Sequence, residues 1–227
     1  GYWTAQPISI TVEGANILTR SLIIFGQGVI RCHPFAWQEA QAVAARDVDA
    51  LDDLLWRHVR FVLRNMTRSL LLSWTRGVMT LDAPDGEAGR SWRRIAWGSA
   101  RFAWLSDVAL ATLGGDLKRR EKLTGHLADV LSALYLATCA VKRFESEGRD
   151  RADAAFLRFA TDECMAQAQA GFESAVRNFP VTWVRVMLWP LLPLWRLNPL
   201  GHAPSDALGH ELARRLTDPA SREKLIA

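Results

Sequence analysis

Apolar positions recur at helical spacing along most of the chain. Asp47 suits a helix N-cap, and the apolar positions of residues 51–62 after it fall three and four residues apart, on one face of a helix. A second stripe of this kind occupies residues 127–138. Because proline interrupts helices, the stretch 35–179, which contains only Pro84, favours long helices.

These patterns predict an all-α protein. Only the opening arm has the alternation of a strand, at residues 8–12, and the Gly- and Pro-containing loop 82–89 is the clearest linker. Beyond Pro180 the chain is apolar and rich in proline, and we expect it to end in one or two short polar helices. The predicted helices cover residues 15–32, 36–45, 47–76, 90–113, 116–147 and 150–178.

Composition supports a folded protein and excludes several classes. The 227 residues are 49% hydrophobic and 23% charged, which is the balance of a globular chain rather than a disordered one. A net charge of +4 argues against a protein that coats polyanions, but it leaves a local basic patch open. Three cysteines, far apart and odd in number, form neither a disulfide framework nor a zinc signature, and no secretory signal opens the chain. We therefore expect a reducing, cytoplasmic location.

Two weaker motifs favour structural interpretations. The pair Gly26 and Gly28 lacks the third glycine of a dinucleotide fingerprint and follows a predicted helix, so a kink or close packing contact explains it better. Cys32 and His33 have no partner at metal-ligand spacing, and the other histidines are scattered. Structural roles are favoured for all of them.

Two basic clusters and one apolar segment leave alternatives open. Arginines surround Trp92 at residues 90–94, and a second basic run covers residues 118–122. Such clusters can bind nucleic acid or a phosphate, but a solvated helix face explains them better, and we expect no nucleic-acid partner. The apolar segment 180–200 is too short and too rich in proline to span a bilayer. It either lies in a membrane interface or packs against another part of the protein.

The most informative motif lies near the start of the chain. Residues 12–20 read VEGANILTR, so an extended arm carries Glu13 and Gly14 to the predicted start of a helix at Asn16. By spacing alone, Glu13 could simply stabilise the positive end of the helix dipole.

This motif resembles the catalytic loop of the acyl-CoA dehydrogenases, which commonly reads YEGTNEIQR. The resemblance is closer to the bacterial long-chain branch of that family, which acts in fatty-acid β-oxidation. It continues with the bacterial-type C-terminal extension of the family and covers most of the chain. The segments that carry it are residues 10–34, 105–107, 113–121, 142–144 and 203–206.

The resemblance implies a set of site residues. Glu13 stands where the family keeps the base that removes the substrate's α-proton, and Gly14 allows close approach of the backbone to the substrate. The positions that match FAD contacts in relatives are Ala15, Asn16, Ile17 and Arg20. This chain departs from the family pattern at Val12, Ala15 and Ile17, which changes individual contacts to the acyl pocket and the cofactor.

The resemblance also implies a domain organisation and an activity. Residues 1–33 correspond to the base-bearing arm and the final helix of the dehydrogenase C-terminal helical domain, and residues 34–227 to the helical extension. The expected activity is FAD-dependent dehydrogenation of long-chain acyl-CoA to trans-2-enoyl-CoA, with Glu13 as the base. We expect the isolated chain to be inactive and to bind no FAD tightly.

The implied partners are an electron-transferring flavoprotein as acceptor and a second copy in a homodimer. Peripheral contact with the inner membrane through residues 180–200 is a further expectation. The alternative from a different class is a non-catalytic helical module for protein interaction or membrane association that merely opens with Glu13 and Gly14.

Overall fold

The computed structural model describes residue 16, residues 18–80 and residues 83–218, and the described chain is helical without a β-strand. The all-α prediction is confirmed, while the strand predicted at residues 8–12 lies outside the described residues. A π-helical segment, Thr19–Gln27, comes first, and a 3-10 segment, Gly114–Arg119, separates two long helices. The α-helices are α1 (Gly28–Cys32), α2 (Ala36–Ala45), α3 (Val48–Trp74), α4 (Gly86–Leu113), α5 (Glu121–Ser146), α6 (Ala154–Arg177), α7 (Thr182–Leu188), α8 (Leu191–Leu197) and α9 (Asp206–Thr217).

The core lies between α4, α5 and α6, with α3 packed on α4 and the π-helical segment packed on α5. Helices α5 and α6 form the closest pair, because small residues let their backbones approach. A Cβ added at Gly171 would lie 2.7 Å from Cγ2 of Val130 and 3.1 Å from the carbonyl oxygen of His126. Close approach of this kind buries Met165 and Phe172 completely.

Helix α5 is the one described helix that is long and apolar enough to cross a membrane by length and composition. Its mean hydropathy reaches 1.3 over the most apolar window, and half of that window is buried inside the bundle. A core helix has the same composition, and this burial places α5 at the centre of the fold.

Helix α3 begins as predicted, with Oδ1 of Asp47 accepting a hydrogen bond from the backbone N–H of Ala50 at 3.0 Å. Its second half packs into the core, where Ser73 Oγ accepts a hydrogen bond from Nε1 of Trp97 at 2.9 Å. The apolar stripe in its first half is helical as predicted. It lines an open groove against α7, however, and its side chains at residues 55 and 59 are about half exposed.

Helix α4 begins at Gly86, inside the loop 82–89 that the sequence predicted as a linker. The glycines there permit close packing rather than an open loop. A Cβ at Gly89 would lie only 1.5 Å from the carbonyl oxygen of Pro84, so the connection folds back directly onto the first turn of the helix. At the other end, Gly114 has a positive φ of 50° and ends α4, and the 3-10 segment delays α5 to Glu121.

The apolar segment 180–200 folds into α7 and α8 and has two faces. One face is buried against the bundle and includes Val184 and Trp195. The other face leaves Trp183 and Trp189 more than half exposed. Part of this segment therefore completes the core of the chain, and part of it presents an apolar surface.

A fully buried arginine joins α4 to α6 and α8. The guanidinium of Arg101 lies 4.2 Å from the ring centroid of Trp195 and 5.2 Å from that of Phe172, and it donates a hydrogen bond of 3.1 Å to Oε1 of Gln169. Burial lowers the pKa of Arg101 to about 9, and the charge of Glu173 acts in the opposite direction. The cation is held by aromatic faces and amide oxygen rather than by a contacting carboxylate.

Candidate functional site at the docked N-terminal helix

Two of the six predicted site residues lie in the described chain. Asn16 is helical and exposed, and Arg20 lies in the π-helical segment. The predicted base and its neighbours, Glu13, Gly14, Ala15 and Ile17, lie outside the described residues. The structure therefore shows how the helix that follows the arm is held, and we call its described residues 18–32 the docked helix.

Arg20 anchors this helix to α5 through Asp129. Nε donates to Oδ1 and Nη2 to Oδ2, both at 2.5 Å, so the guanidinium and the carboxylate meet along two parallel bonds. These hydrogen bonds raise the pKa of Arg20 above its ordinary value, although burial acts against them. Gly125 makes room for the contact, since a Cβ there would lie 2.8 Å from Nη1.

Two further contacts hold the same segment. The hydroxyl of Thr124 donates a hydrogen bond to the backbone carbonyl of Ser21. Phe25 is almost completely buried and packs edge-on against Phe102, with 5.8 Å between the ring centroids. Arg20, Ser21 and Phe25 thus attach successive turns of the segment to α5 and α4. A π-helix is rare and often marks a functional site.

A polar cluster closes the far end of the docked helix. Nδ1 of His33 accepts hydrogen bonds from the backbone N–H groups of Phe35 and Ala36, at 3.2 and 3.1 Å. These two donors require a lone pair on Nδ1, so the proton of the neutral ring is on Nε2. Nε2 lies 2.8 Å from Oδ1 of Asp107, which is buried, and it donates the hydrogen bond. This bond joins the end of the helix to α4.

His58 on α3 completes the cluster. Its Nδ1 lies 2.8 Å from Oε1 of Glu39, and its Nε2 lies 3.8 Å from Oδ1 of Asp107. Nε2 of His58 and Oδ2 of Asp107 are both buried and have no hydrogen-bond partner among the described residues. The ring of Phe35 stacks on His58 with 5.3 Å between the ring centroids.

The cluster has the residue types of a metal site but not the protonation that one needs. His33, His58 and Asp107 each offer one possible ligand atom, and these three atoms lie within 4.8 Å of one another. Coordination through Nε2 of His33 would move the ring proton to Nδ1, where it would face the backbone N–H groups of Phe35 and Ala36. The geometry is therefore that of a hydrogen-bonded connection between helices.

Sequence reasoning assigned these histidines structural roles but did not bring them together. His33 and Asp107 are 74 residues apart, and His58 lies between them on a third helix. No local spacing signals such a contact. The only sequence signal is the pattern of long antiparallel helices, which places distant residues side by side.

Comparison with protein-family models matches most of the chain to one family. The model of the family described as "Acyl-CoA dehydrogenase, C-terminal, bacterial type" matches residues 30–227. The chain belongs to this acyl-CoA dehydrogenase family. No solved structure was found to match the chain.

The bacterial-type acyl-CoA dehydrogenase domain includes the partners that hold the docked helix, but it begins after most of that helix. Asp129 and Asp107 lie within the matched range, whereas Glu13 and Arg20 precede it. The family assignment therefore rests on residues 30–227. The catalytic-loop resemblance of residues 12–20 is a separate indication from the sequence.

The two described site residues, Asn16 and Arg20, can be compared with the contacts that a flavin needs. Asn16 is exposed, whereas Arg20 directs Nε and Nη2 to Asp129 and its Nη1 lies against Gly125. A cofactor on this side would meet the side-chain amide of Asn16, which suits the polar groups of FAD.

Proposed function

We propose that this chain is the C-terminal portion of an FAD-dependent acyl-CoA dehydrogenase that converts long-chain acyl-CoA to trans-2-enoyl-CoA. The family of residues 30–227 supports the general reaction class. The resemblance of residues 12–20 supports the base and the chain length. The structural observation that carries the proposal is the anchoring of Arg20 on Asp129, seven positions after Glu13. The motif continues directly into a helix that is fixed to the bundle.

In this proposal Glu13 performs the proton transfer. The Cα–H bond of an acyl thioester is a weak acid, so its proton needs a positioned base. A carboxylate in a water-poor pocket is a stronger base, because desolvation disfavours its charged form. The backbone N–H of Glu13 donates a hydrogen bond to the thioester oxygen, where negative charge develops as the proton leaves. Gly14 leaves space for the acyl chain beside the backbone.

The cofactor contacts belong to the helix start. Ala15, Asn16, Ile17 and Arg20 would hold FAD, which would supply the acceptor for the hydride that leaves Cβ of the substrate. The bundle contributes rigidity, since a base on an arm attached to fixed helices keeps its geometry better than a base on a free loop.

The partners follow from the same proposal. The electron acceptor is an electron-transferring flavoprotein, and the enzyme is a cytoplasmic homodimer. The exposed face of α7 and α8, with Trp183 and Trp189, supports peripheral contact with the inner membrane, because tryptophan favours the interface between lipid and water. The buried face of the same helices keeps this surface attached to the bundle.

The test measures enoyl-CoA formation from palmitoyl-CoA by the complete protein that carries this chain. Glu13→Gln is expected to reduce kcat on the order of 10²- to 10⁴-fold, the contribution of a general base. Glu121→Gln, an exposed carboxylate at the start of α5, is the matched control and keeps the native rate. A Glu13→Gln enzyme with the native rate would assign the base to another residue.

A non-catalytic role is the second candidate, and the exposed apolar face of α3 and α7 favours it. Leu63 and Trp183 are each more than half exposed on the two sides of a groove of about 530 Å³. This candidate predicts that the complete protein contains no flavin and that Glu13→Gln changes nothing. Bound FAD in the purified complete protein excludes it.

A further inference from the structure

A cleft lined by arginine lies at the start of α4, whereas Asp107 of the polar cluster lies near the end of that helix. It has a volume of about 700 Å³ and is enclosed by the end of α3, the start of α4, α6 and the segment 196–208. Asp162 is the one acidic residue among the described residues that line it. The arginines that line it are Arg76, Arg90, Arg93, Arg94, Arg158 and Arg196.

Three of these six arginines have an acceptor within the protein. Arg94 donates to Asp162 at 2.5 Å and to the carbonyl oxygen of Leu200 at 3.0 Å. Arg90 reaches Glu87 at 3.3 Å, and Arg196 reaches a carboxylate on α6 at the same distance. Each of these pairs fixes an arginine at the rim or wall of the cleft.

The other three arginines, Arg76, Arg93 and Arg158, contact no carboxylate in the described part of the chain. Like charges on one concave surface repel one another, and a bound anion reduces that repulsion. The cleft therefore concentrates positive charge that a bound anion would stabilise.

The walls of the cleft are fixed in position. Arg76 has a φ of 52°, in the left-handed region that is uncommon for a residue with a side chain. The next residue, Gly77, touches the backbone of α4, since a Cβ there would lie 2.9 Å from the carbonyl oxygen of Arg93. The side-chain amide of Asn198 donates to the carbonyl oxygen of Ser73, which ties the opposite wall to α3. The backbone that carries Arg76 and Arg93 is thus held in place without a ligand.

We propose that this cleft binds the phosphate groups of a small ligand that carries more than one phosphate. Guanidinium groups form paired hydrogen bonds with phosphate oxygens, and several together suit more than one phosphate. The volume falls within the range of small-molecule sites. The inference is independent of the proposed dehydrogenation, because none of its residues belongs to the docked helix or the base-bearing arm. The phosphates belong to a dissolved molecule or to a phospholipid headgroup.

Calorimetric titration of the 227-residue chain with pyrophosphate is the first experiment. The variant Arg93→Gln with Arg158→Gln is expected to weaken binding about tenfold or more, because each lost charged hydrogen bond is costly. The control removes the same charge outside the cleft, at exposed Arg60 and Arg119, and is expected to bind within about twofold of the native chain. Lysine at positions 93 and 158 keeps the charge and is expected to restore part of the affinity.

A second arm distinguishes the source of the phosphate. Vesicles of phosphatidylcholine with and without cardiolipin, a lipid whose headgroup carries two phosphates, are mixed with the same chains, and sedimentation measures binding. Pyrophosphate binding without vesicle binding assigns the site to a dissolved ligand. Binding to the cardiolipin vesicles assigns the site to a headgroup if pyrophosphate displaces the chain from them and the cleft variant does not bind them.

Two results would overturn the proposal. One is the absence of binding to both pyrophosphate and vesicles. The other is an equal loss of pyrophosphate binding in the cleft variant and the control variant, which indicates general attraction of anions. Circular dichroism of all variants checks that each remains folded.

Discussion

Arg20 and Asp129 form an ion pair with two hydrogen bonds of 2.5 Å that joins the helix after Glu13 to the middle of α5. The two residues are 109 positions apart, so the contact fixes the π-helical segment against a helix of the core. Both side chains are nearly half exposed, at 45% and 40%. The pair therefore serves to orient the helix more than to stabilise the fold.

A double-mutant cycle measures this pair. Arg20→Gln, Asp129→Asn and the double variant are compared with the native chain by urea unfolding. We expect a coupling of about 0.5–1 kcal/mol, since the geometry is favourable but solvent screens both groups. Arg57 and Asp53, a more exposed pair at 3.4 Å within α3, provide the control and should couple less. Additive effects at Arg20 and Asp129 would mean that the contact does not form in solution.

Two glycines in the same region respond differently to alanine. Gly171→Ala places a Cβ 2.7 Å from Val130 and 3.1 Å from a backbone carbonyl, and such overpacking costs about 1–3 kcal/mol. Gly125→Ala meets the flexible end of Arg20, which can move, and gains about 1 kcal/mol in helix propensity. Urea unfolding should show a loss for Gly171→Ala and little loss or a gain for Gly125→Ala. The reverse order would contradict the close packing of α5 on α6.

His126 makes stability depend on pH. Burial lowers its pKa below the ordinary 6.5, with opposing effects of Asp129 and Arg20 on its charge. The unfolded chain then binds the proton more readily than the folded chain. The contribution of neutral His126 to the free energy of unfolding is therefore complete above pH 6.5. It is lost as the pH falls through the pKa that His126 has in the folded chain.

The variant His126→Gln isolates this effect. Urea unfolding at pH 7.5 and at pH 5 should show a smaller pH-dependent loss in the variant than in the native chain. His202, which is exposed, serves as the control position, and His202→Gln should keep the native pH dependence. Equal pH dependence in all three proteins would mean that His126 titrates normally.

The buried guanidinium of Arg101 should tolerate an apolar replacement of similar shape. In Arg101→Met, Gln169 keeps the hydrogen bond from the backbone N–H of Leu200 and Ser73 keeps that from Trp97, so no acceptor is orphaned. We expect a change in the free energy of unfolding within about 1.5 kcal/mol. Arg101→Ala leaves a cavity among aromatic rings and should cost about 3–5 kcal/mol. Similar losses in both variants would show that the charge itself, rather than the filled volume, stabilises the core.

Helical periodicity predicted most of the elements. The predicted helix 36–45 has the observed bounds, and the helices predicted at 47–76 and 150–178 are shortened only at their ends. The start of α4 was misplaced because Gly86 and Gly89 favour turns locally. Here the packing of Gly89 against Pro84 overrides that preference.

Long-range contacts account for what the sequence could not predict. Nothing in the sequence near Arg101 signals that it is buried. Its burial depends on Trp195, which comes from a segment nearly one hundred positions later. Arg20 was predicted from the catalytic-loop resemblance, but its partner Asp129 was not. The basic residues around Trp92 read as a solvated face, and the cleft becomes visible only when Arg76 and Arg158 join them.

The most direct test of the central claim follows the flavin itself. The complete protein, native or with Glu13→Gln, is mixed anaerobically with palmitoyl-CoA while the flavin absorbance is recorded. We predict bleaching of the native protein and none in Glu13→Gln with FAD still bound, because removal of the α-proton must accompany hydride loss from the substrate. Equal bleaching in both proteins would contradict the role of Glu13 and leave it as a residue that stabilises the start of a helix.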